Sequence, residues 1–359
     1  MLLSPSSLCS LETIQEKIMA AKFSKAPIKV CVSGAAGNIG YAILPTLASG
    51  AVFGADQPII LCMLEITPAL TALKGVEMEL QDCAFPNLVG MISTDSYETA
   101  FTNTDVCILI GGFPRKQGML RKDLIVANTK IFKGMGEALN KYAKPTTKVL
   151  VVANPANTNC RTALNCCSVI PARNFTAMTR LDHNRALGQI AGKVSVDVKD
   201  VSNVIIWGNH SSTQYADAAH GFLFKNGSKH SIASAVNDDE YLKGEFIQTI
   251  AQRGAAIIAA RKSSSACSAA NAACDHLRTW LVTGTAPGEM VSMAVCSQGQ
   301  YGIEKGLIYS FPVTCKNGEF KVVENLKISP FAREKMTVTM DELLQEARDA
   351  DSIINQSKL

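Results

Sequence analysis

TRLDHNRAL at 179–187 and IIWGNHSS at 205–212 hold the residue types that proton transfer and carboxylate binding require. His210 follows a run of large apolar residues and Gly208, so it reads as partly enclosed at a buried strand end. Of His183, His210, His220, His230 and His276, it is the one so placed. Asp182 opens a helical period and Arg185 lies three residues on, which puts both side chains on one face of a first turn. A histidine held by a carboxylate suits proton abstraction near neutral pH, because the carboxylate fixes the tautomer and favours the imidazolium. An arginine fork pairs bidentately with a carboxylate ligand. Read without a ligand, the same pair is a helix N-cap beside a surface arginine.

A second group of residues suits a dinucleotide. GAAGNIG, residues Gly34, Ala35, Ala36, Gly37, Asn38, Ile39 and Gly40, directly follows the apolar run IKVCVS. Its three glycines let the backbone turn tightly, admit a pyrophosphate against the main chain and pack a helix closely on a strand. The helix start then offers unpaired amides to an anion. The alternative is a tight strand-to-helix turn with no ligand. Glu65 ends a second apolar run, where a ribose carboxylate would lie; it would accept both hydroxyls and repel a 2′-phosphate, favouring NAD over NADP. An exposed helix N-cap is the other reading of Glu65. In GGFPRKQGMLRKDL at 111–124, Arg115 and Arg121 flank a Gly118 hinge, and in isolation they are equally a solvated face. Asn154, in ANPANTN, offers both an amide donor and an acceptor at the carboxyl edge of a sheet. Together the pieces compose a site for oxidising a 2-hydroxy acid, in which a base takes the hydroxyl proton while a hydride leaves for a nicotinamide.

The elements that must position these residues alternate. IKVCVSG, PIILCMLEI at 58–66, DVCILIGG at 105–112 and KVLVVANP at 148–155 are apolar throughout and are separated by helical periods, which implies a parallel sheet covered on both faces. The helix before the last of these runs spans about 124–142. Beyond about residue 180 the pattern is mixed: a strand at 201–210, hairpins around Asn226-Gly227 and Asn317-Gly318, and a long Ala-rich helical stretch at 240–282 broken by the serines at 263–265. The expected fold is therefore α/β, a Rossmann-type doubly wound parallel sheet followed by an α+β catalytic domain. The expected division is an extension over 1–26, a NAD-binding domain over 27–179 and a substrate domain over 180–359.

The chain of 359 residues carries 35 Lys and Arg against 31 Asp and Glu, with no run of five like charges, so no nucleic-acid groove is indicated. No apolar stretch reaches the roughly eighteen residues of a membrane span. The twelve cysteines sit singly inside apolar runs such as VCV and LCM, apart from the adjacent Cys166 and Cys167, and no CxxC pair exists. They read as buried small hydrophobes in a reducing compartment rather than as a metal or disulfide framework. Residues 1–26 read as a disordered tail or an early start before Met19; organelle targeting is less favoured, since Glu12 and Glu16 depart from a typical presequence.

GAAGNIG, GMLRKDL, ANPANTNC, TRLDHNRA, IIWGNHSSTQY, KSSSACSAA, GEMVSM and YSFPV, in this order, resemble the cytosolic-type branch of malate dehydrogenases within the lactate/malate dehydrogenase family, from about residue 28 to 340. The resemblance implies NAD as cofactor, malate and oxaloacetate as substrates in the tricarboxylic acid cycle, a cytoplasmic location and a homodimer. It implies that His210 accepts the proton with Asp182 behind it and that Arg185 binds the carboxylate beside the reacting carbon. Arg121 would polarise the carbonyl oxygen, and Arg115 would pair with the distal carboxylate, where lactate dehydrogenases carry an uncharged side chain. It places Asn128, Asn154 and the backbone of Val152, Ala153 and Asn154 against cofactor or substrate, and Ser265 near the nicotinamide. Four positions depart from the family pattern: Glu65 in place of Asp, Phe113 in place of Met, Leu120 in place of an acidic residue, and Met135 in place of Gln.

Overall fold

The structure is a computed structural model and describes residues 23–113 and 121–356, with Arg121 and Gln356 described in their backbone only. The expected extension over 1–26 therefore lies outside the described residues except for 23–26.

Six strands pair in parallel: β1 (Ile28–Ser33), β2 (Ile59–Leu64), β3 (Leu88–Thr94), β4 (Val106–Leu109), β5 (Lys148–Val151) and β6 (Phe175–Ala177). Their spatial order, β3-β2-β1-β4-β5-β6, is that of a dinucleotide-binding doubly wound sheet, and it reverses direction between β1 and β4. Alternate residues of each strand feed opposite faces, as the pleat requires. Val30, Val32, Leu61, Met63, Ile108 and Leu150 pack on one side with the Asn38–Ala48 helix and with Ala269–Leu277 of the Cys267–Arg278 helix. Cys31, Cys62, Cys107, Leu109, Val149 and Val151 face the other side, against Phe132 and Leu139 of the Arg121–Tyr142 helix and Ala163 of the Ala156–Asn165 helix. The Arg121–Tyr142 helix begins three residues before the expected Leu124.

The second half does not stand apart from this sheet. β12 (Val291–Cys296) pairs antiparallel with β6 through Ala294 and Ala177, and β13 (Ile308–Lys316) and β14 (Glu319–Val322) continue it to nine strands. Both expected hairpins form: β13–β14 turns at Asn317-Gly318, and β10 (Phe222–Lys225) with β11 (Ser228–Ser231) turns at Asn226-Gly227. In each turn both residues have positive φ, the backbone that Asn-Gly accepts most easily. The strand expected over 201–210 is broken into β7 (Val201–Ser202) and β8 (Ile205–Trp207). Asn203, at φ +62°, causes the break: its side chain donates to the Gly288 carbonyl at 2.9 Å and accepts from the Met290 amide at 2.9 Å. β8 pairs instead with β9 (Tyr215–Asp217), and the segment between them carries His210. The Ala-rich stretch divides into helices Asp239–Lys243, Glu245–Arg261 and Cys267–Arg278, with the serine break where expected. A helix over Pro330–Gln356, absent from the sequence reading, packs Ala332, Met336, Leu343 and Ala347 under β12 and β13.

Every described cysteine is a free thiol, and most are buried, but Cys83 and Cys267 are exposed helix-end residues rather than core fillers. Among the described residues there is no cluster of metal-ligating side chains and no helix long and apolar enough to cross a membrane.

Candidate active site

The glycine loop sits where β1 ends, at the point of strand reversal. Gly34 has φ +68°, and a Cβ on it would lie 2.7 Å from the Gly111 Cα, so the loops after β1 and β4 touch through glycine backbones. The Ser33 hydroxyl locks the same junction by accepting from the Ile110 and Gly111 amides at 3.1 and 3.0 Å. Gly40 is required for a different reason: a Cβ there would meet the Gly34 carbonyl oxygen at 2.2 Å, which fixes how closely the helix approaches the strand. Gly37 is the N-cap of the Asn38–Ala48 helix, with no side chain capping it and no acidic residue in the first turn. The first-turn amides of Asn38, Ile39 and Gly40 are therefore left without helical acceptors at the positive end of the helix. Glu65, at the carboxyl end of β2, accepts from the Ala36 amide at 2.9 Å through one oxygen and from the Ile66 amide at 3.2 Å through the other. It stands at the rim of the glycine loop, partly exposed. A glycine loop packed too closely for a Cβ at Gly34 or Gly40, an uncapped helix start and a carboxylate at the loop's rim together fit NAD.

The floor of the cleft is built by the chain after β5. Val152 and Ala153 both donate their amides to the Leu109 carbonyl, at 2.9 and 3.2 Å. Asn128, wholly buried on the Arg121–Tyr142 helix, accepts from the Phe113 amide at 2.7 Å and donates to the Asn154 carbonyl at 2.8 Å. Its side chain thus ties the two loops of the floor together, while the Asn154 side chain is exposed. The Ser265 hydroxyl is buried and, among the described residues, without a hydrogen-bond partner. Met135 lies in the core beneath the sheet, so it contributes packing at the position where a polar cofactor contact would be expected.

Asp182 lies in the first turn of the Arg180–Val194 helix, and its carboxylate is fully buried. One oxygen accepts from Nδ1 of His210 in a short contact, and the other accepts from the Arg185 guanidinium at 3.0 Å. Burial alone would raise the carboxyl, but the His210 imidazole and the Arg185 guanidinium outweigh it and hold the group below the usual carboxylate range. The spacing argument for Asp182 and Arg185 on one face is thus met by a direct bond. His210 retains 16% side-chain exposure and Arg185 12%, while the Asp182 carboxylate they share has none.

Enclosure does not single out His210 among the histidines. His183 and His276 are far more buried. Burial, reinforced by nearby Arg180, holds each down to about 3, so both are neutral core residues, bonded to Ser292 and Thr176 respectively. What distinguishes His210 is the carboxylate against its Nδ1. Sequence reasoning also passed over Asn157, whose Oδ1 accepts from the His210 amide at 3.0 Å while its Nδ2 donates to the Ile308 carbonyl at 2.9 Å. Its place in ANPANTN, three residues after Asn154, was the available signal. Arg115 and Leu120 lie outside the described residues, and the Arg121 side chain does too.

Comparison with known proteins places this geometry. The description "lactate/malate dehydrogenase, NAD binding domain" matches residues 28–176, and "lactate/malate dehydrogenase, alpha/beta C-terminal domain" matches 179–353. The chain is 54% identical over 323 residues to a cytoplasmic malate dehydrogenase of Zea mays, covering 90% of this chain and 97% of the relative. It is 54% identical over 333 residues to the cytoplasmic malate dehydrogenase of Homo sapiens, covering 92% and 99%. Among solved structures it is similar to a malate dehydrogenase of Naegleria fowleri, with TM-score 0.87 and 44% identity over 92% of this chain and 99% of that one. It is also similar to a Trichomonas vaginalis lactate dehydrogenase in complex with NADH and oxamate, with TM-score 0.88 and 40% identity over the same shares.

Proposed function

Because the chain belongs to the lactate/malate dehydrogenase family, we propose that it is an NAD-dependent malate dehydrogenase that interconverts malate and oxaloacetate, with His210 and Asp182 as its proton relay. The observation that carries the reading is the buried Asp182 carboxylate shared between the His210 Nδ1 and the Arg185 guanidinium.

With Nδ1 committed to Asp182, the free ring nitrogen of His210 is Nε2, and that atom takes the hydroxyl proton of malate. Asp182, ionised at neutral pH, stabilises the imidazolium so formed and keeps the ring from rotating. NAD, when bound, supplies the hydride acceptor. The glycine loop and the amides of Asn38, Ile39 and Gly40 receive its pyrophosphate, Glu65 its ribose hydroxyls, and Val152, Ala153, Asn154 and Ser265 line the nicotinamide end. Arg185 grips the carboxylate next to the reacting carbon, and its bond to Asp182 fixes substrate and base relative to each other. Arg121 polarises the carbonyl oxygen, and Arg115 pairs with the distal carboxylate. Leaving that guanidinium opposite a methyl group would forfeit several kcal/mol, roughly, which disfavours pyruvate. Residues 27–179 form the NAD-binding domain on this reading and 180–359 the substrate domain, joined by their common sheet. The relatives' names extend the reading to the cytoplasm, and the family resemblance alone extends it to a homodimer.

Likeness to the Trichomonas vaginalis enzyme keeps lactate dehydrogenation as the second reading. Steady-state kcat/KM with oxaloacetate and with pyruvate separates them: a preference for oxaloacetate is expected, and a preference for pyruvate rejects the first reading.

A further inference from the structure

The segment between β8 and β9 carries His210 but has almost no ladder of its own; among the described residues one bridge, Gly208 to Ser310, is its strand-like pairing. Polar groups in such a segment need acceptors from elsewhere. The helix Pro330–Gln356 supplies them. Thr339 accepts from the Asn209 amide at 2.9 Å, and its side chain presses so closely on Gly208 that a Cβ there would fall 2.1 Å from its methyl. One turn on, Glu342 Oε2 collects the Asn209 side-chain amide at 2.8 Å, the Thr213 hydroxyl at 2.6 Å and the Ser211 hydroxyl. A turn further, the buried Glu346 accepts the same Asn209 amide at 3.2 Å and the hydroxyl of Thr158. Thr158 adjoins Asn157, which holds the His210 backbone, and both sit just beyond the Asn154 floor of the cleft.

We propose that Glu342 and Glu346 are positioning residues for His210, which they hold in register with the nicotinamide floor from the side opposite Asp182. The chemistry favours carboxylates over other side chains. A carboxylate is acceptor-only with about four lone-pair sites, so one group can gather the three donors that converge on Glu342. All three donors reach the one oxygen Oε2, so an amide that sets its oxygen there retains them, whereas a side chain without an acceptor loses them all. Because Asn209, on which both glutamates act, immediately precedes His210, a slackened anchor moves the imidazole rather than a distant surface. A displacement of about an ångström is enough to lower the chemical step by tens of fold. The inference rests on the dehydrogenase reading for its kinetic consequence but not for the geometry.

The test compares Glu342→Ala and Glu342→Gln with the parent, in the full chain. Alanine removes every acceptor at that point; glutamine keeps one oxygen. Expected for the alanine variant is a fall in kcat of about tenfold or more, with the oxaloacetate KM and the NADH dissociation constant within about twofold of the parent. Glutamine should restore kcat to within about threefold. Should the alanine variant fold poorly, Thr213→Val, which deletes one donor, should show the same split to a smaller degree. An activity-independent readout is the downfield proton resonance of His210 Nδ1 in the protein without cofactor, assigned by its loss in His210→Gln. It should persist in the glutamine variant and be shifted or lost in the alanine variant. The proposal is overturned if the alanine variant keeps both its kcat and that resonance. It is equally overturned if kcat, NADH affinity and Tm fall together with no rescue by glutamine. A parent that does not turn over oxaloacetate sinks the dehydrogenase reading instead, and the resonance comparison still decides the positioning role.

Discussion

Replacing Asp182 with asparagine removes a charge while preserving volume, and the structure specifies what the amide would have to do. Two donors, His210 Nδ1 and Arg185, take the two carboxylate oxygens beside a further side-chain hydrogen bond from Gln214, and the group has no exposed surface through which water could substitute. An amide has one acceptor oxygen for those two donors. If the oxygen stays with Arg185, the NH2 group faces Nδ1 and forces the proton onto Nε2, the atom that must be empty to receive the substrate proton. If it turns to His210, the NH2 group abuts a guanidinium. A charge-assisted hydrogen bond contributes about 1.5–3 kcal/mol, and a tautomer held in the wrong form adds to that. A total of roughly 3–5 kcal/mol corresponds to a fall in kcat of about a hundredfold to several thousandfold. Single-turnover reduction of NAD by malate in Asp182→Asn reads the chemical step directly. NADH affinity, measured by fluorescence titration, should change little, because the glycine loop and Glu65 lie on other elements. A single-turnover rate within about fivefold of the parent would refute the reasoning, since the carboxylate would then be neither fixing the tautomer nor stabilising the imidazolium.

Gly40→Ala places a methyl group 2.2 Å from one backbone carbonyl oxygen and 2.6 Å from another. It should cost about 2–4 kcal/mol in denaturant unfolding and weaken NADH binding, and a variant with parental stability would show that the loop is not tightly packed. Arg115→Leu should narrow or invert the kcat/KM ratio of oxaloacetate to pyruvate while leaving NADH affinity unchanged; an unaltered ratio would remove Arg115 from specificity. Acid should destabilise the fold through His183 and His276. Each is held down to about 3 in the folded protein against about 6.5 unfolded, so the unfolded chain binds the extra protons and stability falls as pH drops from 6.5 toward 3. At pH 5 this amounts to about 2 kcal/mol per histidine. The double variant His183→Gln with His276→Gln should accordingly lose less stability than the parent between pH 7.5 and 5, and equal losses would mean that neither histidine is a neutral core group.

Local features of the sequence carried most of the fold. The apolar runs at β1, β2, β4 and β5 and the two Asn-Gly turns are specified within a few residues of themselves, and they form where expected. The edge strand β3 was not legible because half-exposed positions and Gly90 blur its pattern, and β6 because three residues hold no period. The Pro330–Gln356 helix was missed among its charges, although its buried stripe of Met336, Leu343 and Ala347 fills the core under β13. In the site, Asp182 and Arg185 were readable because a helix turn brings neighbours in sequence together. His210 was singled out by enclosure, but His183 and His276 are more enclosed, and the contact that matters crosses twenty-eight residues of chain. Asn157, Thr339, Glu342 and Glu346 approach the histidine segment from separations that no spacing argument reaches.

His210→Ala tests the central claim most directly, because it deletes the imidazole and leaves every proposed cofactor contact in place. Mixed with NADH and oxaloacetate, this variant should bind NADH as the parent does and yet turn over about a thousandfold or more slowly. Near-parental turnover with normal NADH binding would show that another group carries the proton.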